Sequence, residues 1–216
     1  MPLFTLFAFT KVPIYAIPGD DEETRLPKSI FRIKVFWILF FVMICAGASE
    51  QGVSQWSSMF AEDGLKVSKT VGDLLGPCSF AFFMGLSRFL YGMKGENLKL
   101  IPSLKATSLL CILGYLVTSL SPIPLLSLAG CAICGFSVGL MWPGTFSLGA
   151  AYLRGGGTFM YAMFALAGDI GCSAGPGVVG IISQFTGKMN LGILTAILFP
   201  LGMLILVSLL KRQKPA

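Results

Sequence analysis

Long apolar runs alternate with short polar breaks along this chain. The runs occupy residues 35–60, 70–91, 98–120, 123–152, 158–184 and 191–210, six in all. Each is long enough to cross a hydrocarbon layer as a helix, which takes roughly 20 mostly apolar residues for a layer about 30 Å thick. The breaks read AEDGLKVSK, GMKGEN, SP, LRGGG and FTGKMN. Connections this short make successive helices antiparallel neighbours. Helices also satisfy their own backbone groups in lipid, so the pattern predicts an all-α membrane protein with six transmembrane helices over residues 35–210.

The two flanks differ from this pattern. MPLFTLFAFT at the start is apolar but too short to span, and it has neither the basic lead nor the small-residue site of a signal peptide. It reads as the end of a preceding helix. PGDDEETRLPKS follows, polar, proline-flanked and carrying four consecutive acids, so residues 1–34 are expected to end one helix and form a charged central loop. Residues 211–216 form a polar tail.

Lysine and arginine set the expected orientation. Lys11, Arg25, Lys28, Arg32 and Lys34 precede the first span. Arg88, Lys94, Lys99 and Lys105 flank the second-to-third junction, and Arg154, Lys211, Arg212 and Lys214 complete that side. The other side has only Lys66, Lys69 and Lys188. Both termini are therefore expected to be cytoplasmic, in a cell (inner or plasma) membrane, with Lys105 snorkelling to the same surface.

Composition agrees. Only 12% of the 216 residues are charged and 55% are hydrophobic, against about 25% charged in soluble domains. The net charge of +6 is scattered in short clusters and forms no basic face for nucleic acid. There is no histidine, which removes Ser-His-Asp and Cys-His nucleophile systems and most zinc sites. Cys131 and Cys134 have redox or metal spacing but lie in an uncharged run, where small apolar packing is the better account. No cofactor, metal or enzymatic chemistry is expected.

The candidate chemistry lies in polar interruptions within the spans. In the first span Gln51, Ser54, Gln55 and Ser58 fall at i, i+3, i+4 and i+7, one face of a helix bordered by Glu50. Glu50 lies roughly 22 Å along the helix, slightly past mid-membrane. A carboxyl group there needs water, a partner or a proton. The stripe either faces an aqueous cavity, with Glu50 as solute ligand or proton carrier, or forms an interhelical hydrogen-bond seam. Asp169 is the second intramembrane acid, in FALAGDIGCSAGPGVVG, and it either faces the same cavity or fixes packing. Gly171 and Gly175 have spacing for close helix approach, and Pro176 permits a bend. Thr70 and Asp73 have capping-box spacing at the start of the second span. Arg88 is expected to clamp helix ends, snorkel or take part in gating. In the fourth span Gly139 offers close packing, and Trp142-Pro143 sets an aromatic beside an expected kink. Trp56 and Trp142 could supply flat walls for a small ligand.

The motifs Glu50-Gln-Gly-Val-Ser-Gln-Trp56, Gly85-Leu-Ser-Arg88, Gly139-Leu-Met-Trp-Pro143 and Gly168-Asp-Ile-Gly171 with Gly175-Pro176 resemble the C-terminal half of a major facilitator superfamily transporter, in its fucose-permease-like branch. The resemblance runs from Leu3 onward. It implies half of a twelve-helix fold, built as two inverted three-helix repeats, with a solute cavity shared with an N-terminal six-helix half that would be this chain's partner. It also implies that the first, second, fourth and fifth spans line that cavity or its gates. The expected function is transport of a small polar solute, such as a sugar, by a proton-coupled permease among membrane lipids. Glu50 and Asp169 are the expected coupling or ligand groups, with Gln51, Gln55, Trp56 and Trp142 as ligand contacts. Arg88, Gly139, Pro143, Gly171, Gly175 and Pro176 have structural or gating roles. The alternatives are a non-transporting membrane binding or scaffold protein and an inactive truncated transporter.

Overall fold

The computed structural model describes residues 27–95, 98–153 and 155–210. The stub, most of the acidic segment, Arg154 and the basic tail lie outside them. Among the described residues six helices are long and apolar enough to cross a membrane: Lys34–Asp63, Lys69–Lys94, Leu100–Leu120, Pro124–Tyr152, Gly157–Thr186 and Met189–Leu210. A short helical turn, Pro27–Ile30, leads into the first. Gly187 ends the fifth at φ 67°, a conformation glycine adopts without penalty, so the chain reverses into the sixth within two residues.

The first span packs chiefly on the fifth, the second on the fourth, the third on the fourth and the sixth on the first, while the third also meets the sixth. Exchanging each span for the one three further along maps this set onto itself. First–fifth becomes fourth–second, and third–fourth becomes sixth–first. That is the pairing two inverted three-helix repeats require. It places the second, fourth, first and fifth spans side by side as one wall, with the third and sixth behind.

Small residues let the wall close. A Cβ on Gly171 would run into the carbonyl of Ile44 and the backbone of Ala48, and one on Gly47 into the carbonyl of Gly168. The pseudo-equivalent crossing uses Gly135 against Phe80 and Gly139 against Met84 and Ser87. Since lipid tails are as apolar as leucine, this close van der Waals approach carries much of the association.

Four of the six spans are interrupted. In the first, α-helix ends at Ser54, turns at Gln55 and Trp56, and resumes at Ser57–Met59 before a wider π-type turn at Phe60–Gly64. The second widens to a π-type turn over Leu74–Cys78, which absorbs Pro77 and its missing N–H. The fourth breaks at Gly139 and Leu140, just before Pro143. The sixth breaks between Thr195 and Leu198. The expected capping box at Thr70 and Asp73 is not formed. The helix starts at Lys69 with no side-chain cap, and the Asp73 carboxylate instead accepts a hydrogen bond from Ser58 on the first span. A neighbouring hydroxyl outcompetes the local donor.

Candidate functional site

Glu50 projects from the continuous part of the first span. Its Oε2 lies 3.3 Å from Nη2 of Arg88 on the second span. The Glu50 side chain is 13% exposed and that of Arg88 44%, so the carboxylate sits in the wall while the guanidinium reaches to it from open space. The seat of Arg88 is set one residue earlier, where Gly139 of the fourth span packs on Ser87. The first and second spans make no comparable packing at this level, so the ion pair bridges a gap in the wall. The sequence separates the two residues in depth. The structure joins them, because the arginine arm is long and Glu50 is a carboxyl in need of a cation.

Asp169 is exposed on the fifth span, and its carboxylate has no hydrogen bond or ion pair among the described residues. One turn on, Cys172 is within electrostatic reach of both Glu50 and Asp169. Gln51 is half-buried.

Beyond the tight first–fifth crossing a cavity of about 1200 Å³ opens at the end of the bundle away from Lys34, bounded by the first and fifth spans and by the adjoining ends of the third and sixth at Ser119, Ser121, Met189 and Asn190. Gln55, Trp56, Cys172, Ser173 and Pro176 line its inner part, and Asp63, Gln184 and Lys188 its outer part. The polar stripe of the first span is therefore divided. Gln55 lines the cavity, whereas Ser58 is spent on Asp73 and the Ser57 hydroxyl donates to the carbonyl of Ser54.

Trp56 is a brace. Its indole N–H donates to the carbonyl of Pro176 across 3.0 Å, and its ring fills the space a side chain at Gly180 would take. This contact ties the break in the first span to the proline of the fifth. Trp56→Phe, which keeps the ring and loses the donor, should lower stability by about 1 kcal/mol. Thermal unfolding followed by circular dichroism would measure it, and an unchanged midpoint would remove the brace.

Trp142 is set apart from the cavity. Its ring covers Gly168 and lies 6.3 Å from Phe146, and its indole nitrogen is buried with no partner among the described residues. Pro143 follows it, half-buried, just past the break at Gly139. Gly171 and Gly175 both abut Ala48. The structure thus pairs Glu50 with Arg88, gathers Gln55, Trp56 and Pro176 on the cavity, and leaves Trp142 elsewhere in the wall. Cys172, Ser173, Asp63 and Lys188 are additions to the residues singled out in the sequence. Helical spacing from Asp169 and Pro176 would have found the first two.

A sequence model described as Major Facilitator Superfamily matches residues 3–176. The chain belongs to the major facilitator superfamily. A crystal structure of the E. coli fucose:proton symporter FucP superposes with a TM-score of 0.79 at 15% sequence identity, over 98% of this chain and 52% of that one. The chain spans about half the length of that structure and shares its fold. No curated protein sequence matches it. As a superfamily member with six spans, it is a multi-pass membrane protein.

Proposed function

We propose that these six spans are the C-terminal half of a permease that carries a small, neutral, polar solute of the sugar class in symport with protons. The observation that carries this reading is the Glu50–Arg88 ion pair on the open second–fourth–first–fifth wall, beside the free carboxylate of Asp169. Ionisable groups at membrane depth cost free energy even when paired, and they usually mark function. When Glu50 takes a proton it releases Arg88, and when it loses the proton it recaptures it. That exchange links a proton to the distance between the first and second spans. A second six-span unit facing this wall would complete a solute path, and the uncharged amides and hydroxyls of Gln55, Ser173 and Gln184 suit solute hydroxyls.

The lysine and arginine distribution favours cytoplasmic termini in a cell membrane. Lys34, Lys94 and Lys99 sit at one end of the bundle, opposite Lys66, Lys69 and Lys188. Membrane vesicles from cells producing the chain in its native assembly should accumulate radiolabelled neutral monosaccharide when the medium is acidified, and a protonophore should abolish the accumulation. Uptake indifferent to the protonophore would overturn proton coupling. Failure across a panel of neutral sugars would overturn the solute class.

A further inference from the structure

Tyr115 of the third span lies behind the wall and is fully buried. For packing alone phenylalanine would serve, with no hydroxyl to remove from water. The Tyr115 hydroxyl donates to the carbonyl of Ser49 on the first span across 2.9 Å. Ser49 is itself fully buried, and it directly precedes Glu50. A hydrogen bond from the back of the bundle therefore grips the turn that carries the ion pair with Arg88.

The first span is shaped to admit this contact. A Cβ on Gly52 would lie 2.8 Å from the Tyr115 hydroxyl oxygen and 3.4 Å from the Ala196 methyl in the break of the sixth span. A larger residue there would push the hydroxyl away from Ser49. The fifth span touches the same turn at Gly47 and Ala48. Those van der Waals contacts limit approach but do not aim a side chain. A hydrogen bond does, because it weakens steeply off its axis. Beyond Ser54 the helix is interrupted at Gln55 and Trp56, so no unbroken helix steadies the turn from that side. Aim matters for Glu50. A helix with its side chains is about 10–12 Å wide, so a rotation of about 20° carries a carboxylate about 2 Å. Glu50 meets Arg88 through Oε2 and Nη2, 3.3 Å apart, and such a rotation would part them.

We propose that Tyr115 is a positioning residue for Glu50. Its hydroxyl, admitted by Gly52, holds the Ser49 carbonyl and fixes the rotation of that turn, so that the Glu50 carboxylate recaptures Arg88 each time it gives up its proton. Tyr115 touches neither solute nor proton. Its role rests on the proton-exchange reading of the Glu50–Arg88 pair given above.

Two modes of transport separate positioning from packing. When labelled sugar outside exchanges with unlabelled sugar inside, the carrier keeps its proton and Glu50 need not recapture Arg88. Proton-driven accumulation requires recapture in every cycle. The test uses membrane vesicles holding the chain in its native assembly and each radiolabelled neutral monosaccharide that the wild type accumulates. Tyr115→Phe, which keeps the ring and loses the donor, should slow accumulation about fivefold, the worth of one net hydrogen bond, while exchange keeps the wild-type rate. Gly52→Ala should slow accumulation in the same selective way, and adding it to Tyr115→Phe should cost nothing more, because the hydroxyl it displaces is already gone. Accumulation and exchange falling together would make Tyr115 a packing residue and overturn the proposal. So would wild-type accumulation by Tyr115→Phe, or losses from the two substitutions that simply multiply. Wild-type vesicles that accumulate no sugar, or do so regardless of a protonophore, would instead overturn the proton-coupled reading, and the role of Tyr115 would fall with it.

Discussion

Gly171→Ala should cost about 3 kcal/mol or more, and Gly171→Leu should not yield a folded bundle. Overpacking a close contact typically costs about 1–3 kcal/mol when neighbouring side chains can move aside. Here they cannot. The atoms a Cβ would meet are the Ile44 carbonyl and the Ala48 amide, both in helical backbone. The only relief is to separate the first and fifth spans, and that would strip Gly47 from Gly168 and Gly175 from Ala48 as well. The internal control is Gly177, two residues beyond Gly175 on the same helix, where an added Cβ meets nothing within 4 Å. Gly177→Ala should be neutral or gain up to about 1 kcal/mol, the helix-propensity difference. Gly85 on the second span is equally open and should behave alike. Thermal unfolding of the purified chains in detergent would rank them. A Gly171→Ala midpoint equal to that of Gly177→Ala would mean that the helices do not cross where the structure puts them.

What the sequence reveals here is set by how local each cause is. Six spans are legible because a run of apolar residues carries its own reason to sit in lipid. The glycine spacing at Gly171 and Gly175 and the dipeptide Trp142-Pro143 are likewise local signals, of close approach and of a break. The turn at Gln55 and Trp56 is different. Neither glycine nor proline marks it, and it is held by a hydrogen bond to Pro176, 120 positions away. The capping-box pattern at Thr70 and Asp73 misleads for the same reason, since Ser58 arrives from another span and takes the carboxylate. Glu50 and Arg88 stand 38 positions apart, and depth estimated along straight helices keeps them separate. Physical necessity could have joined them. An acid within a span calls for a cation, and Arg88 is among the few within the apolar runs.

Glu50→Gln should abolish proton-driven accumulation in the intact transporter while leaving membrane insertion intact, but the single substitution does not decide why. Arg88→Gln should also impair it, because it leaves a mostly covered carboxylate without its cation. An unpaired charge within the membrane costs several kcal/mol, about 2.5 or more at the centre of a helix. The reverse vacancy is milder, since Arg88 keeps nearly half its side chain open to solvent or headgroups. The combined Glu50→Gln, Arg88→Gln variant separates the explanations. If the pair only clamps the first span to the second, removing both charges leaves nothing unpaired, and accumulation should recover well above either single variant, as expected when a removed ion pair costs less than a broken one. If Glu50 carries the proton, the double variant should regain stability and equilibrate solute down its gradient, yet never concentrate it. We expect the second result, because a clamp would gain nothing from being charged at this depth, where the glycine crossings already hold the wall.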